Sequence, residues 1–425
     1  MSQEMEKEFD RAVSEHADKY RQLLHSRGFD PDAFPGVYLP PLEGVSAPAS
    51  RAAYHESVPA QLELEFAEGT AVLLYGLDRS EGKVPRIWVV DRCGIAAVEI
   101  LPVGLERLDK AISSLREALG VEAIQASRSP HRGGRPVIPV SPEKTAKVPL
   151  DQAIAELTKI LLPDTIARSL VSVKHLILVP VLAIGTVPFA ILRPFQSDAF
   201  LIDRMSVSIA PSLFDLWNRV EKWNPALRAP LVIGNPDFAP ADDWVFPPLP
   251  GAEGEARAVA KLVHAQALVG RFATKEAVLS KAPAADFLYF ATHGVANASD
   301  PLRGGFIVLS AREKDKGRWT AEEIQKSSLH AQIAVLSACQ TGLGKTHDAG
   351  MIGLSRAFQI AGVPRVVMSL WKVNDDATSE LMTAFVDNLR SEIPAEALRQ
   401  AMLKTRQRRP RPSQWASFVL FGIPR

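Results

Sequence analysis

The feature that most constrains the fold is an alternation of short apolar segments with amphipathic segments, which runs from Leu150 to the end of the chain. The apolar segments are rich in β-branched and aromatic residues and are predicted as strands at 176–181, 203–209, 230–235, 266–270, 286–291, 305–310, 332–337 and 365–371. Strands that alternate with helices predict an α/β fold with a mainly parallel sheet and helices on both faces. In such sheets, binding and catalytic residues collect at the carboxyl ends of the strands.

The 425 residues are predicted to form three units. Residues 1–58 combine an N-terminal helical leader, where apolar residues recur at helical spacing, with a connector that prolines interrupt. Residues 59–148 are predicted to form a small β-meander plus helix unit ending in an exposed basic loop at 125–147. Residues 149–425 are the main α/β domain. The meander is expected from strands at 70–77, 86–91 and 95–101, followed by a helix at 106–119.

Charge and cysteine content argue against several classes of protein. Lys and Arg total 49 and Asp and Glu total 48, so the formal net charge of +1 provides no global field for nucleic acid or an anionic membrane. Neither Cys93 nor Cys339 belongs to a C-x-x-C pair, so no structural zinc site or disulfide framework is expected. Residues 1–10 are acidic and polar, unlike a secretory signal, and the interrupted apolar run at 176–192 does not suit a membrane span. We therefore expect a cytoplasmic protein.

Two reactive side chains follow predicted strands. His293 comes directly after the apolar run that ends at Ala291, and Cys339 comes shortly after the one that ends at Leu336. Parallel strands would bring both to one edge of the sheet, where a thiol and an imidazole are the minimum set for nucleophilic attack on an amide. The backbone N–H groups of Gly294 and Cys339 are the predicted donors of an oxyanion hole.

Each of these residues has an ordinary structural interpretation. A cysteine at a strand end is often an inert small hydrophobe, which is also what we expect of Cys93. His347 is an alternative base, and the strand–loop–helix context of 342–346 is an alternative nucleotide site. That second alternative lacks the first glycine of a phosphate-binding loop, because Cys339 occupies its position.

A coordinated set of short motifs resembles the CHAT branch of the caspase–separase–gingipain group of cysteine peptidases. The motifs are Leu249-Pro-Gly-Ala252 with Glu255, Ala273-Thr-Lys-Glu276, Ala291-Thr-His-Gly294, Val335-Leu-Ser-Ala-Cys-Gln-Thr-Gly342, Gly353-Leu-Ser-Arg-Ala-Phe358, Ser369-Leu-Trp-Lys-Val373 with Asp375, and Trp415-Ala-Ser-Phe-Val419. The resemblance implies a caspase-like fold for residues 149–425, with Cys339 as the nucleophile and His293 as the general acid and base.

The resemblance also implies how a substrate is bound. In separase-like members, an acidic residue after the Trp-x-Val segment lines the S1 pocket, which places Asp375 and Trp371 in substrate binding. A carboxylate in a partly desolvated pocket favours a guanidinium or ammonium group. The alternative for Asp375 is a helix N-cap, since a helical pattern starts at Ala377. Lys372 and Asn374 stand where related chains often have Pro and Asp.

Together these observations predict a cysteine endopeptidase that makes limited cuts in a partner protein after Arg or Lys. The resemblance implies a bacterial regulatory or defence protease that acts without cofactor or metal. We expect control by a regulatory protein or by an upstream activating protease that cuts the loop at 125–147, and we expect neither nucleic acid nor membrane as a direct partner. The alternative is a catalytically silent caspase-fold scaffold for protein interactions.

Overall fold

The computed structural model describes residues 68–78, 84–121, 148–195, 198–210, 222–238, 246, 249–295, 300, 302–312, 315–337, 345–347, 350–371, 373 and 375–422. The predictions for the leader and connector at 1–58, the basic loop at 125–147 and Cys339 lie outside these residues, as do Lys372 and Asn374.

Strands and helices alternate along most of the described chain. The strands are β1 (Thr70–Asp78), β2 (Val84–Asp91), β3 (Gly94–Ile100), β4 (His175–Val179), β5 (Ser206–Ile209), β6 (Pro230–Pro236), β7 (Ala267–Gly270), β8 (Phe287–Ala291), β9 (Gly294–Val295), β10 (Phe306–Val308), β11 (Arg318–Thr320), β12 (Ile333–Leu336), β13 (Lys345–His347), β14 (Gly350–Ile352), β15 (Arg365–Ser369) and β16 (Phe418–Gly422). The α-helices are α1 (Leu105–Ala118), α2 (Leu150–Leu161), α3 (Asp164–Ser169), α4 (Leu201–Arg204), α5 (Pro250–Leu262), α6 (Lys275–Lys281), α7 (Ala321–Gln325), α8 (Leu354–Ile360), α9 (Asp375–Asn388), α10 (Pro394–Arg408) and α11 (Pro412–Trp415).

Eleven strands form one sheet in the order β3-β2-β1-β4-β5-β16-β15-β12-β8-β6-β7. Its neighbouring strands run parallel except in the pairs β1–β2, β2–β3 and β15–β16, which are antiparallel. The central strands β8 and β12 are buried along their whole length. Strands covered on both faces are continuously apolar rather than alternating, which is why the sequences FLYFA and IAVL occur here.

Helices cover both faces of the sheet, as the sequence predicts. Successive side chains of a strand point to opposite faces. On β8, Tyr289 donates a hydrogen bond to Glu255 of α5, whereas the next residue, Phe290, packs against Phe358 of α8. Helices α5 and α8 therefore lie on opposite faces of β8, and the mainly parallel α/β fold class is confirmed.

The predicted meander exists, but it belongs to the main sheet. Strands β1, β2 and β3 and helix α1 lie close to their predicted positions, and β1 pairs in parallel with β4 from Thr70 opposite His175. The Tyr75 hydroxyl of β1 donates a hydrogen bond of 2.9 Å to the carbonyl of Leu161 at the end of α2. The meander thus extends the sheet of the main domain rather than forming a sheet of its own.

Three details differ from the sequence-based expectations. The strand predicted at 305–310 is β10, which lies in a separate antiparallel sheet with β9 and β11, so β8 and β12 are direct neighbours. The helix in the strand–loop–helix context of 342–346 begins only at Leu354, because residues 350–352 pair with β13 as strand β14. Cys93 is exposed in the turn between β2 and β3, so its predicted burial is wrong.

Candidate active site

The carboxyl ends of β8 and β12 lie side by side. The two strands pair in parallel, with Phe290 opposite Leu336 as the last pair. His293 is the third residue after Phe290, and Cys339 is the third residue after Leu336. The structure therefore brings together the two strand ends that carry the predicted dyad, while the placement of Cys339 itself stays a prediction.

His293 lies in an aromatic environment and is 5% exposed. The centroid of its ring is 4.7 Å from that of Phe238 and 5.2 Å from that of Phe246. Its carbonyl accepts a hydrogen bond of 2.9 Å from the N–H of Val308 on β10, and the preceding Thr292 donates one of 2.7 Å to the Val308 carbonyl. These two hydrogen bonds hold the backbone of Thr292 and His293 against β10.

The backbone N–H of Gly294 is directed away from β10. Gly294 of β9 lies opposite Ile307, and the hydrogen bond from the Val308 N–H to the His293 carbonyl flanks this pair. That pattern makes Gly294 and Ile307 a non-hydrogen-bonded pair of an antiparallel ladder, whose N–H groups point outward. The Gly294 N–H is therefore not used in the pairing of β9 with β10, as an oxyanion-hole donor requires.

A cleft with about 400 Å³ of space not filled by protein atoms opens at the same edge of the sheet. Its lining consists of Leu249, Ala252, Glu255, Thr292, Ser337, Ser369, Val373, Asp375, Thr378 and Phe418. Three of these residues, Thr292, Ser337 and Ser369, stand at the carboxyl ends of the adjacent strands β8, β12 and β15. The strand ends therefore contribute hydroxyl groups to the cleft. The flanking helices α5 and α9 contribute the carboxylates of Glu255 and Asp375.

Asp375 is the first residue of α9 and is half-buried in the cleft wall. A helix N-cap is the residue before the first helical one, so Asp375 stands one position inside the helix, in its first turn. Helix α9 comes very close to α5 here, since a Cβ on Gly251 would lie 2.7 Å from the Cβ of Asp375. The absence of a side chain at Gly251 therefore sets the position of the Asp375 carboxylate.

The start of α5 is anchored to the neighbouring strand β6. The side-chain oxygen of Asn235 accepts a hydrogen bond of 3.0 Å from the N–H of Leu249, just before the helix. Asn235 has φ of 39°, in the left-handed region that asparagine tolerates better than most residues. This contact fixes the first turn of α5 beside the cleft.

Glu255 is a second carboxylate in the cleft, and it is only 3% exposed. The Tyr289 hydroxyl donates a hydrogen bond of 2.8 Å to its Oε1. Burial raises the pKa of Glu255 from 4.5 to about 7, the hydroxyls of Ser337 and Tyr289 lower it in part, and the charge of Asp375 raises it. At neutral pH this carboxyl group therefore exists in both protonation states.

The sequence indicates Glu255 only as part of a motif and does not reveal its position in the cleft. The sequence does contain a signal for a buried Glu255. This residue lies on the buried face of α5 with Ala256 and Val259. A glutamate at an apolar position of an amphipathic helix is uncommon unless it is paired. The partner, Tyr289, is 34 residues away in the sequence, so helical spacing alone does not reveal it.

The comparison with protein families identifies the fold family. The model of the CHAT domain matches residues 151–423. The chain belongs to the CHAT domain family. The match begins close to the predicted start of the main domain at residue 149, and the resemblance drawn from the short motifs is confirmed.

The curated relatives of this CHAT domain are much longer proteins. The chain is 28% identical over 294 residues to human tetratricopeptide repeat protein 28, covering 59% of this chain and 12% of that protein. It is 26% identical over 392 residues to the mouse protein of the same name, covering 77% of this chain and 16% of that protein. The chain thus spans less than a fifth of the length of either relative.

Among solved structures, the CHAT domain is similar to separase in the Saccharomyces cerevisiae separase–securin complex. The TM-score is 0.50 at 13% identity, and the alignment covers 88% of this chain and 32% of that one. The Arg-specific cysteine proteinase gingipain R aligns with a TM-score of 0.41 at 8% identity, over 64% of this chain and 67% of that one. The similarity to separase confirms the caspase-like fold.

Trp371 does not line the cleft of this CHAT domain. Its side chain is 3% exposed, and its indole N–H donates a hydrogen bond of 2.9 Å to the carbonyl of Ser413 in α11. The next lining residues along the chain are Val373 and Asp375. Trp371 therefore holds the segment between β15 and α9 in place, and its contact with a substrate stays a prediction.

Within the described part of the CHAT chain, no group of three or more His, Cys, Asp or Glu side chains is placed to hold a metal ion. No helix in the same residues is long and apolar enough to span a membrane.

Proposed function

We propose that this CHAT domain is a cysteine endopeptidase that cuts a partner protein after a basic residue. The observation that carries the proposal is the joint position of three features at one sheet edge: the neighbouring ends of β8 and β12, His293 just after β8, and the acidic cleft. Ser337 lines the cleft, and Cys339 follows it by two residues. Two trans peptide units span at most about 7.6 Å between Cα atoms, and we therefore propose that the thiol lies close to the cleft.

The chemistry assigns one role to each group. The Cys339 thiol gives its proton to the His293 imidazole, and the thiolate attacks the carbonyl carbon of the scissile peptide bond. The N–H groups of Gly294 and Cys339 stabilise the resulting oxyanion. His293 then protonates the leaving amine, and water hydrolyses the acyl-enzyme with the imidazole as the base.

The cleft supports the preference for a basic P1 residue. Its two acidic side chains, Glu255 and Asp375, face a space in which none of the described lining residues is cationic. A P1 Arg or Lys supplies the positive charge that these carboxylates lack, and a charge-assisted hydrogen bond in a partly desolvated pocket is among the strong ones. The proposal assigns Asp375 as the residue that pairs with the P1 side chain.

A second candidate function is a domain that binds a partner without cutting it. The observation that favours it is the burial of His293, which lies against Phe238 and Phe246 and is 5% exposed. A substrate reaches this imidazole only when the aromatic side chains move. A scaffold protein would keep them in place.

A covalent probe distinguishes the two functions, with Cys93 as an internal control because it is an exposed free thiol. The chain is incubated with a peptide of basic P1 that carries an acyloxymethyl ketone, and the modified peptide is located by mass spectrometry. A peptidase is labelled at Cys339, and His293→Ala suppresses that label. Labelling that is absent from Cys339, while a general alkylating reagent still modifies Cys93, contradicts the peptidase and supports the scaffold.

Control by proteolysis is part of the same proposal. The loop at 125–147 contains Arg128, Arg132 and Arg135 among Gly, Pro and Ser, a composition that a protease of basic specificity can cut. Active protein and the Cys339→Ala variant are incubated in parallel, and the fragments are mapped by intact mass. If the protein processes itself, a cut within 125–147 appears only in the active sample. If the loop stays intact in both samples, self-processing is contradicted and control by a separate protein is supported.

A further inference from the structure

The small sheet formed by β9, β10 and β11 carries a cationic side chain on the same face as His293. Val308 of β10 lies opposite Arg318 of β11, and the pairing of Gly294 with Ile307 places His293 opposite Val308 on the other side. Residues directly opposite one another in antiparallel strands share a face of the sheet. His293, Val308 and Arg318 therefore form one row across this face. Neighbouring strands lie about 4.8 Å apart, so the backbones of His293 and Arg318 are about 10 Å apart.

Contacts with aromatic side chains place the two groups on one side of the small sheet. The Arg318 guanidinium lies 5.1 Å from the ring centroid of Phe306. The ring of Phe306 is 6.4 Å from that of Phe246, which is itself 5.2 Å from the His293 ring. Trp319, the next residue after Arg318, belongs to the opposite face and is fully buried. The imidazole and the guanidinium thus border the same cluster of phenylalanine rings.

Two donor atoms of Arg318 lack a hydrogen-bond acceptor. Its Nε and Nη2 are buried, and no described residue accepts a hydrogen bond of good geometry from either of them. The cation–π contact with Phe306 engages the flat face of the guanidinium, whereas its N–H groups lie in the plane of the group. Buried donors are ordinarily hydrogen-bonded, so two open ones on a single side chain point to a missing ligand. A carboxylate matches them, because it accepts two parallel hydrogen bonds from a guanidinium.

The position of the small sheet assigns Arg318 to the leaving-group side of the site. The strand ends that line the cleft belong to β8, β12 and β15, whereas β6 and β7 lie on the other side of β8. The small sheet is bonded to that other side: Ser310, just after β10, accepts a hydrogen bond from the N–H of Asp237 and donates one to the carbonyl of Gly270. His293 stands between the two regions and, in the proposed chemistry, protonates the leaving amine. The chain beyond the scissile bond therefore runs toward the small sheet.

We propose that Arg318 binds the carboxylate of an aspartate or glutamate at P2′ or P3′, the second or third residue after the scissile bond. This inference rests on the proposed function and adds a preference on the leaving-group side to the preference at P1. An extended chain advances about 3.3 Å per residue, so these two positions bring a side chain within reach of a group about 10 Å from His293. Phe246 lies between His293 and Phe306, so the movement that admits a substrate to the imidazole also uncovers Arg318.

The test measures cleavage of internally quenched peptides by the full chain. The peptides share one sequence with arginine at P1 and carry glutamate, glutamine or lysine at P2′ or, in a second series, at P3′. We expect kcat/KM to be at least about tenfold higher for glutamate than for glutamine at one of these positions, because a charge-assisted pair forms in a partly desolvated place. Lysine at the same position should be the least favourable of the three, since its charge repels the guanidinium.

Substitutions of Arg318 test whether this residue is the origin of the preference. Arg318→Gln should reduce the ratio of kcat/KM for the glutamate and glutamine peptides to about one. Arg318→Glu should reverse the order, so that the lysine peptide is cut faster than the glutamate peptide. Arg312→Glu makes the same change of charge on an exposed arginine between β10 and β11, and it should leave the order of the peptides unchanged.

The outcomes separate this inference from the function on which it rests. Cleavage after arginine with equal kcat/KM for glutamate and glutamine at both positions overturns the inference and leaves the proposed function standing. An equal loss for all peptides in Arg318→Gln, with the preference kept, indicates a structural role and also overturns it. If no peptide is cut and the covalent probe does not label Cys339, the proposed function fails and this inference fails with it. Should the Arg318 variants not fold, the ratio on the unsubstituted chain decides: tenfold or more supports the site, and a ratio near one overturns it.

Discussion

The stability of the protein should depend on pH through Glu255 in a way that one substitution removes. Burial raises the pKa of this carboxyl group from 4.5 to about 7 in the folded chain. Between these values the folded state holds a proton that the unfolded state has lost, so the stability contributed by Glu255 is complete below pH 4.5 and falls as the pH rises through 7. The substitution to study is Glu255→Gln, which stays neutral at every pH.

The magnitude follows from the size of the pKa difference. A shift from 4.5 to about 7 corresponds to about 3 kcal/mol of unfolding free energy, at about 1.4 kcal/mol for each pH unit. Relative to the unsubstituted chain, Glu255→Gln should therefore gain about 3 kcal/mol between pH 4.5 and pH 8. For a chain of this size, that gain raises the thermal midpoint by on the order of 5 °C.

The assay is a series of thermal unfolding curves from pH 4.5 to 8, followed by tryptophan fluorescence. Both chains contain the same other titratable groups, so the difference between their midpoints isolates Glu255. Glu253→Gln serves as the control, because hydrogen bonds from Arg257 and Asn235 lower the pKa of Glu253, so above about pH 5 this group is ionised in both the folded and the unfolded chain. Parallel midpoint curves for Glu255→Gln and the unsubstituted chain would refute the reasoning, since they would mean that Glu255 keeps an ordinary pKa in the folded protein.

Three further predictions address the site directly. Cys339→Ala and His293→Ala should each abolish peptide cleavage, measured with a fluorogenic substrate of basic P1, while leaving the circular dichroism spectrum unchanged; cleavage at the original rate by either variant contradicts the dyad. Asp375→Ala should lower kcat/KM for such substrates more than about tenfold, and a loss confined to about 1 kcal/mol of thermal stability would instead indicate a role at the helix end. Gly251→Ala should disturb binding because its Cβ would lie 2.7 Å from that of Asp375, whereas Gly254→Ala in the same helix meets nothing within 4 Å and should stabilise the fold by about 1 kcal/mol without changing kcat/KM.

The sheet was predictable from the sequence where strands are buried on both faces. The runs that became β8 and β12 are uninterrupted apolar segments, and this is the pattern that parallel strands between two layers of helices require. The run at 305–310 has the same apolar character, yet it became β10 of a separate antiparallel sheet. Apolar periodicity indicates that a strand exists and which of its faces is buried, but it carries no information about the strand's neighbours.

Part of the candidate site was also predictable from the sequence. Strand ends followed by His293 and Cys339 indicate reactive groups at one sheet edge, and the structure does place the two strand ends side by side. Glu255 required the tertiary structure, because its hydrogen bond from Tyr289 joins α5 to β8, and the charge of Asp375 that raises its pKa comes from α9. Trp371, whose position in a motif predicts contact with a substrate, is packed inside the fold, and that contact stays a prediction.

Two departures from ordinary packing meet at the same cleft. Glu255 is buried without a cationic neighbour among the described lining residues, and α9 approaches α5 so closely that a Cβ at Gly251 would lie 2.7 Å from the Cβ of Asp375. Real proteins depart from good packing and complete pairing mainly at functional sites. Under the proposed function, a basic P1 side chain supplies the positive charge that Glu255 lacks, and the close approach of the helices brings Asp375 to the same space.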